Sequence, residues 1–255
     1  MPDDAAAAPP PEFSEDSFLD GTVILRQPVD GYRAAIDPIM LAASVNAEPR
    51  QRVLEAGTGQ GAAAICLARR VPDCHVTGID IQPDAVRLAN DNARLNGLAG
   101  NVQVMVGDLV HPLPRIAAGG FDHAMANPPF LDAARADASP VEGRVAANVE
   151  GDAKLGDWIG FLLRMVRAKG TITLIHRADR LDEILALLHG NAGETVVFPL
   201  WPKRGVAAKR VIVRARKGIR TPLTVSPGLV LHEDDGTYTE QADAILRGGA
   251  CPILT

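Results

Sequence analysis

At 255 residues, with 47% hydrophobic side chains and 24 glycines, the chain has apolar mass for one full core and no room for a second catalytic domain. A formal charge of −5 argues against broad, nonspecific nucleic-acid binding, and no apolar run reaches membrane-spanning length. Cys66, Cys74 and Cys251 show neither paired metal spacing nor an even disulfide set, which favours a reduced, cytoplasmic setting; the six histidines are scattered singly, so no metal is assigned.

Residues 1–20 mix acidic side chains, an alanine run and three consecutive prolines, which predicts a disordered tail rather than a signal peptide. Residues 21–255 are then one large domain. Val53-Leu54-Glu55-Ala56-Gly57-Thr58-Gly59-Gln60-Gly61 reads as a short apolar strand entering a glycine-rich turn, and Ala62 to Arg70 as the helix that follows. Such a turn lets backbone pass close to a ligand and opens a helix whose free N–H groups favour a carboxylate or phosphate. Read as Gly57, Gly59 and Ala62, it also satisfies a dinucleotide fingerprint, so a nicotinamide enzyme stays open at this point.

A second strand, His75 to Ile79, ends in Asp80, where a carboxylate can accept from both hydroxyls of a ribose. The amphipathic run Pro83 to Asn96 predicts a helix closed by Gly97. A third strand, Val102 to Val106, leads into Gly107-Asp108-Leu109, a further carboxylate at the same sheet edge. The fourth, Phe121 to Ala126, delivers Asn127-Pro128-Pro129-Phe130. Each proline fixes its own φ and restricts the residue before it, so the Asn127 side-chain oxygen and the Pro128 carbonyl form a rigid pair of acceptors for an NH2 group, with the Phe130 ring as a stacking face.

Leu131 to Glu150, carrying Arg135 and Arg144, has the length and polarity of a mobile substrate loop or, equally, of a plain disordered segment. A helix over Trp158 to Ala168, strand Thr171 to Ile175, helix Leu181 to Leu188, and strands Thr195 to Leu200 and Arg210 to Ala215 complete an α/β alternation, which predicts a doubly wound, mainly parallel sheet. From Thr195 to His232 there is no acidic residue and eight basic ones, leaving 18 basic against 31 acidic elsewhere. Within that stripe Lys203, Arg204, Lys209 and Arg210 are the expected contacts to nucleic-acid phosphates.

Taken in order, Glu55-Ala-Gly57-Thr-Gly59-Gln-Gly61, Asp80, Asp108 and Asn127-Pro-Pro-Phe130 resemble the motifs of class I S-adenosylmethionine-dependent amino-methyltransferases. The resemblance implies a seven-stranded Rossmann-like sheet whose last strand is antiparallel between its neighbours. It also implies S-adenosylmethionine as cofactor: Gly57, Gly59 and Gly61 face its methionyl part, Asp80 holds the ribose, and Asp108 with Leu109 brackets the adenine. A nicotinamide enzyme needs neither Glu55 nor the later Asn-Pro-Pro-Phe.

Three further stretches, Gly31 to Ala42, Lys209 to Val213, and Leu231-His232-Glu233 with Gly236 to Thr239, make the region from about Val23 to Arg247 resemble the bacterial tRNA adenine N6-methyltransferases that act beside the anticodon of valine tRNA. That resemblance implies an RNA partner, and a leading lid whose Arg33 meets the cofactor carboxylate. Phe130 departs from the tyrosine common in adenine N6 enzymes and keeps RNA guanine N2-methylation as an alternative. Protein glutamine N5-methylation is the other, since a side-chain amide suits the same pocket. The expected chemistry is direct displacement, with Asn127 and Pro128 aiming the lone pair of a splayed-out base stacked on Phe130.

Overall fold

The computed structural model describes residues 12–30, 33–111, 116–130 and 153–249; Gly31, Tyr32, Cys251 and the expected substrate loop Leu131 to Glu150 lie outside them. Phe13–Phe18, placed by composition in a disordered tail, forms strand β1, paired antiparallel with β2 (Val23–Pro28) from Phe13↔Pro28 to Phe18↔Val23. Its polar residues are matched across the ladder, Glu15 by Arg26 at 3.0 Å and Asp16 by the Gln27 amide at 2.6 Å. Cross-strand pairing of this kind is invisible to composition.

The leading helix α1 (Ile36–Ala43) and α2 (Ala62–Arg70), either side of strand β3 (Arg52–Ala56), are almost wholly buried and pack on each other. β4 (His75–Asp80), α3 (Pro83–Leu95), β5 (Val102–Val106) and β6 (Phe121–Ala126) follow. α3 carries the hairpin: the Asn96 side chain exchanges hydrogen bonds with the Ile24 amide and carbonyl, and Asn92 does the same with Arg26. Four residues apart on one helix face, the two amides stand in for the backbone of a neighbouring strand. Asn92 also donates to the Gln60 carbonyl at 3.0 Å, tying the hairpin to the glycine turn.

Helix α4 (Leu155–Met165) gives way without a loop to β7 (Val166–Arg177). The expected helix to Ala168 is therefore too long, because Val166 already pairs with Phe121. Between that pair and His123↔Thr171 the register shifts, and Lys169 takes φ +62°. Sheet pairing overrides the helix preference of Arg167, Ala168 and Lys169. α5 (Leu181–Leu188), β8 (Ala192–Trp201), β9 (Arg210–Lys217), the two-residue strands β10 (Thr224–Val225) and β11 (Leu229–Val230), and α6 (Glu240–Leu246) complete the described chain.

The main sheet runs β10-β8-β9-β7-β6-β3-β4-β5, with β11 also on β8. Its seven long strands have the expected doubly wound arrangement, with β9 antiparallel between β7 and β8. The count is nine among the described residues, because the chain after β9 adds β10 and β11 parallel to β8. Apolar residues on the two faces of the strands feed two cores. One holds Met40, Leu41, Ile65 and Leu67 under α1, α2 and α3, the other Ile159, Leu162 and Ile184 under α4 and α5. Strand order reverses between β3 and β6, so their carboxyl ends open the crevice where such sheets take ligands.

Candidate active site

The glycine turn leaves β3 with positive φ at Gly57, Gly59 and Gly61, at +65°, +54° and +89°. The three are not equivalent. A Cβ on Gly57 would sit 2.5 Å from the Trp158 ring of α4, and one on Gly61 3.2 Å from Ala89 and Ile65, whereas one on Gly59 meets nothing within 4 Å. Gly57 thus admits the tryptophan, and Gly59 borders open space at the crevice. Gly78 in β4 plays a packing part that the sequence did not announce, since a Cβ there would lie 2.4 Å from Thr58 Oγ1.

Asp80, at the end of β4, accepts from the Gly59 amide at 2.7 Å and the Gln82 amide at 2.9 Å. Each carboxylate oxygen keeps a further lone pair for a ligand. Ile81 beside it is 62% exposed, an apolar side chain with no burial to account for it. Past β5, Asp108 accepts from the Val110 amide at 3.0 Å and lies 2.7 Å from His111 Nδ1; first the amide and then the imidazole hold its carboxyl below the usual carboxylate range. Leu109 is half-buried against the core, and its carbonyl takes an Arg164 guanidinium hydrogen at 3.3 Å.

Glu55 faces the interior, 3% exposed. Burial pushes its carboxyl well above the usual range, Asp80 adds to the rise, the Ala64 amide opposes it, and Oε2 has no hydrogen-bond partner among the described residues. A buried acceptor left in that state costs about 1–3 kcal/mol, and a cation or donor brought beside it would recover the loss. Arg33, expected at the cofactor, is directed elsewhere: it binds Asp16 at 2.5 Å, Ser14 Oγ at 2.7 Å and the Pro28 carbonyl at 3.4 Å, all on the hairpin.

At the end of β6, level with Gly57 through the Ala56↔Ala126 pair, stands Asn127. Its Oδ1 is buried and unpartnered among the described residues. The carbonyl of Pro129 accepts from Nε2 of His176, at 3.2 Å. His176 lies at the end of β7 with no exposure; burial depresses its pKa to about 4, so the ring is neutral at ordinary pH and carries its proton on the nitrogen that faces the carbonyl. The Phe130 ring meets His176 edge-on, with centroids 5.6 Å apart.

Of the basic stripe, Arg210 belongs to this cluster: its guanidinium lies 4.2 Å from the Phe130 centroid and donates to Asp37 of α1 at 3.0 Å. Lys203, Arg204 and Lys209 stand in the loop between β8 and β9, at the same sheet edge, with Arg204 and Lys209 exposed and Lys203 donating to the Asp234 carbonyl. Lys203 and Arg204 line an open groove of about 710 Å³ with Trp201 and Val206. Arg216 and Lys217 lie at the opposite end of β9, bound to Glu194 and to the Val166 carbonyl. His176, Trp158 and Ile81 are the site residues that sequence reasoning missed; only Ile81, an apolar residue after a strand-end carboxylate, left a signal. Among the described residues no group of three His, Cys, Asp or Glu side chains converges as a metal site.

Residues 47–189 match a family model described as a methyltransferase domain. Over 215 residues the chain is 26% identical to a tRNA1(Val) (adenine(37)-N6)-methyltransferase of Aeromonas hydrophila, covering 82% of this chain and 86% of that one. It is 41% identical to a release factor glutamine methyltransferase of Deinococcus radiodurans over 92 residues, 36% of this chain and 31% of the other. Among solved structures, a predicted O-methyltransferase from Agrobacterium tumefaciens is similar with a TM-score of 0.71 at 24% identity, over 84% of this chain and 97% of that one.

Proposed function

The chain belongs to the methyltransferase-domain family, and from that premise we propose that it transfers a methyl group from S-adenosylmethionine to the exocyclic N6 amine of an adenine in RNA, in a tRNA near its anticodon. The observation that carries this reading is the buried Asn127 Oδ1 at the crevice, unpartnered among the described residues, next to backbone that two prolines hold rigid. An acceptor kept without a donor is suited to a substrate amine. The breadth of the match supports RNA over protein: the tRNA adenine enzyme aligns with 82% of this chain, the glutamine enzyme with 36%. Lys203, Arg204 and Lys209 at the same edge supply charge for a phosphate backbone.

The residues fit the cofactor on their own terms. Glu55 offers a buried acceptor toward the ammonium of the methionyl part, Gly59 the space for close approach, Asp80 the ribose acceptor, Asp108 an acceptor for the adenine amine, and Ile81 an apolar face. When bound, S-adenosylmethionine supplies an electrophilic methyl on a positively charged sulfur. The chain's own groups do the positioning. Asn127 Oδ1 and the Pro128 carbonyl take one hydrogen each from the acceptor NH2, which favours a tetrahedral nitrogen and aims its lone pair. Phe130 stacks on the base, and His176, neutral, fixes the Pro129 carbonyl rather than removing a proton. No base is needed before attack, because the nitrogen becomes acidic only after alkylation. We place the reaction in the cytoplasm, where the buried thiols of Cys66 and Cys74 stay reduced.

The test is incubation with labelled S-adenosylmethionine and unmodified total RNA, followed by mass spectrometry of the nucleosides. N6-methyladenosine is the expected product. N2-methylguanosine would change the base, and label in protein alone would overturn the RNA reading in favour of glutamine.

A further inference from the structure

Arg210 and Phe130 stand 80 positions apart in the sequence, yet the guanidinium lies against the ring at 4.2 Å. The arginine is 30% exposed and its Nε is spent on Asp37, itself 16% exposed. Across the loop, His176 holds the Pro129 carbonyl and touches the Phe130 ring edge-on. The last residue of the acceptor loop is thus gripped from two strands, β9 and β7, and through Asp37 from the first turn of α1. A guanidinium on an aromatic ring is attracted by the negative face of the ring, more strongly as water is excluded, and its planarity matters in a way a lysine cannot copy.

We propose that Arg210 is a positioning residue for methyl transfer: bound to Asp37, it fixes the plane of the Phe130 ring on which the acceptor base stacks, and it is not a phosphate contact. The inference rests on the RNA methylation reading given above. One face of Phe130 is already taken by Arg210, so a planar acceptor stacks on the other or displaces the guanidinium; a 4.2 Å gap has no room for a base between them. The basic stripe then divides by role, with Lys203, Arg204 and Lys209 left to meet phosphates.

The experiment compares Arg210→Lys with the wild type by steady-state kinetics on RNA, by calorimetric titration with S-adenosylhomocysteine, and by 19F NMR of protein labelled with 4-fluorophenylalanine. The chain has six phenylalanines, and Phe130→Leu assigns the one resonance that matters. The expected result is a fall in kcat of about tenfold or more, with KM for RNA and its salt dependence unchanged within about twofold, cofactor affinity retained, and the Phe130 resonance shifted. Asp37→Asn should give a smaller loss of the same kind.

A raised KM with a shallower salt dependence and unchanged kcat would identify a phosphate contact and overturn the proposal. Loss of cofactor binding would reduce Arg210 to a structural role, and an unshifted Phe130 resonance would remove the clamp. The fluorine measurement needs no acceptor. Wild-type protein that leaves RNA unlabelled therefore counts against the RNA reading alone, while the clamp stands or falls on the ring.

Discussion

The glycine turn and the Asn127–Phe130 loop, the proposed acceptor loop, both hold backbone still at the crevice, and they do so by opposite means. The turn is closed by its near neighbours: Gly59 donates to Asp80, Thr58 to the Ile79 carbonyl, and Gly61 to Thr58, all within about one βαβ unit. The acceptor loop is held by residues remote in sequence, His176 behind Pro129, Arg210 against Phe130, and Asp37 behind Arg210. Preorganisation by local geometry survives most distant substitutions. Preorganisation by long-range contacts is as fragile as its weakest partner, and it links the acceptor side to the leading segment of the chain.

The largest effect that would sharpen this contrast is expected from Asn127→Ala. Removing one of two acceptors for a group that rehybridises during reaction should lower kcat by on the order of 100- to 1,000-fold. The same substitution leaves Asp80 and Gly59 in place, so calorimetry should find cofactor affinity within about tenfold of wild type, or 1.4 kcal/mol. A joint loss of both would break the division into two halves.

Acid should act next. The imidazole of His176, at the acceptor, and that of His123, buried 8% exposed between Thr171 Oγ1 and Gln51 Oε1, are both depressed by burial to about 4. An unfolded chain takes up these protons near pH 6.5, so the stability the neutral rings confer is complete above that value and is lost as pH falls through about 4. Each should contribute roughly 3 kcal/mol to the decline. Denaturant midpoints measured between pH 7 and 4 should fall, and His123→Gln should flatten part of the slope while leaving turnover at pH 7 intact.

Within the turn, Gly57 and Gly59 separate folding from binding. Gly57→Ala forces a left-handed φ and a methyl group into the Trp158 ring, a destabilisation of about 2–3 kcal/mol that thermal unfolding will register. Gly59→Ala meets no atom, so stability should fall by only about 1 kcal/mol while cofactor affinity drops. Equal effects at the two positions would contradict the different surroundings of these glycines. The smallest change is expected from Arg204→Ala with Lys209→Ala. kcat should hold, and the slope of log K against log salt for RNA should shrink by about 1.5.

The sequence by itself settled the α/β alternation, the glycine turn, the carboxylates that end successive strands and the place of Asn127-Pro-Pro-Phe at the end of β6, because each is a run of neighbouring residues whose backbone consequences are local. It misjudged Phe13–Phe18, whose acidic composition suited a tail, because the partners of Glu15 and Asp16 come from β2. It gave Arg33 to the cofactor where the structure binds it to Asp16 and Ser14, and it counted Arg210 as one cation in a stripe. Tertiary structure alone decided those partners, along with the grip of His176 on Pro129 and the fit of Trp158 against Gly57. The reason is physical: a charged or aromatic side chain has no role until sheet order and register choose its neighbour, and here the antiparallel insertion of β9 between β7 and β8 brings Arg210 to the end of the sheet where Phe130 stands.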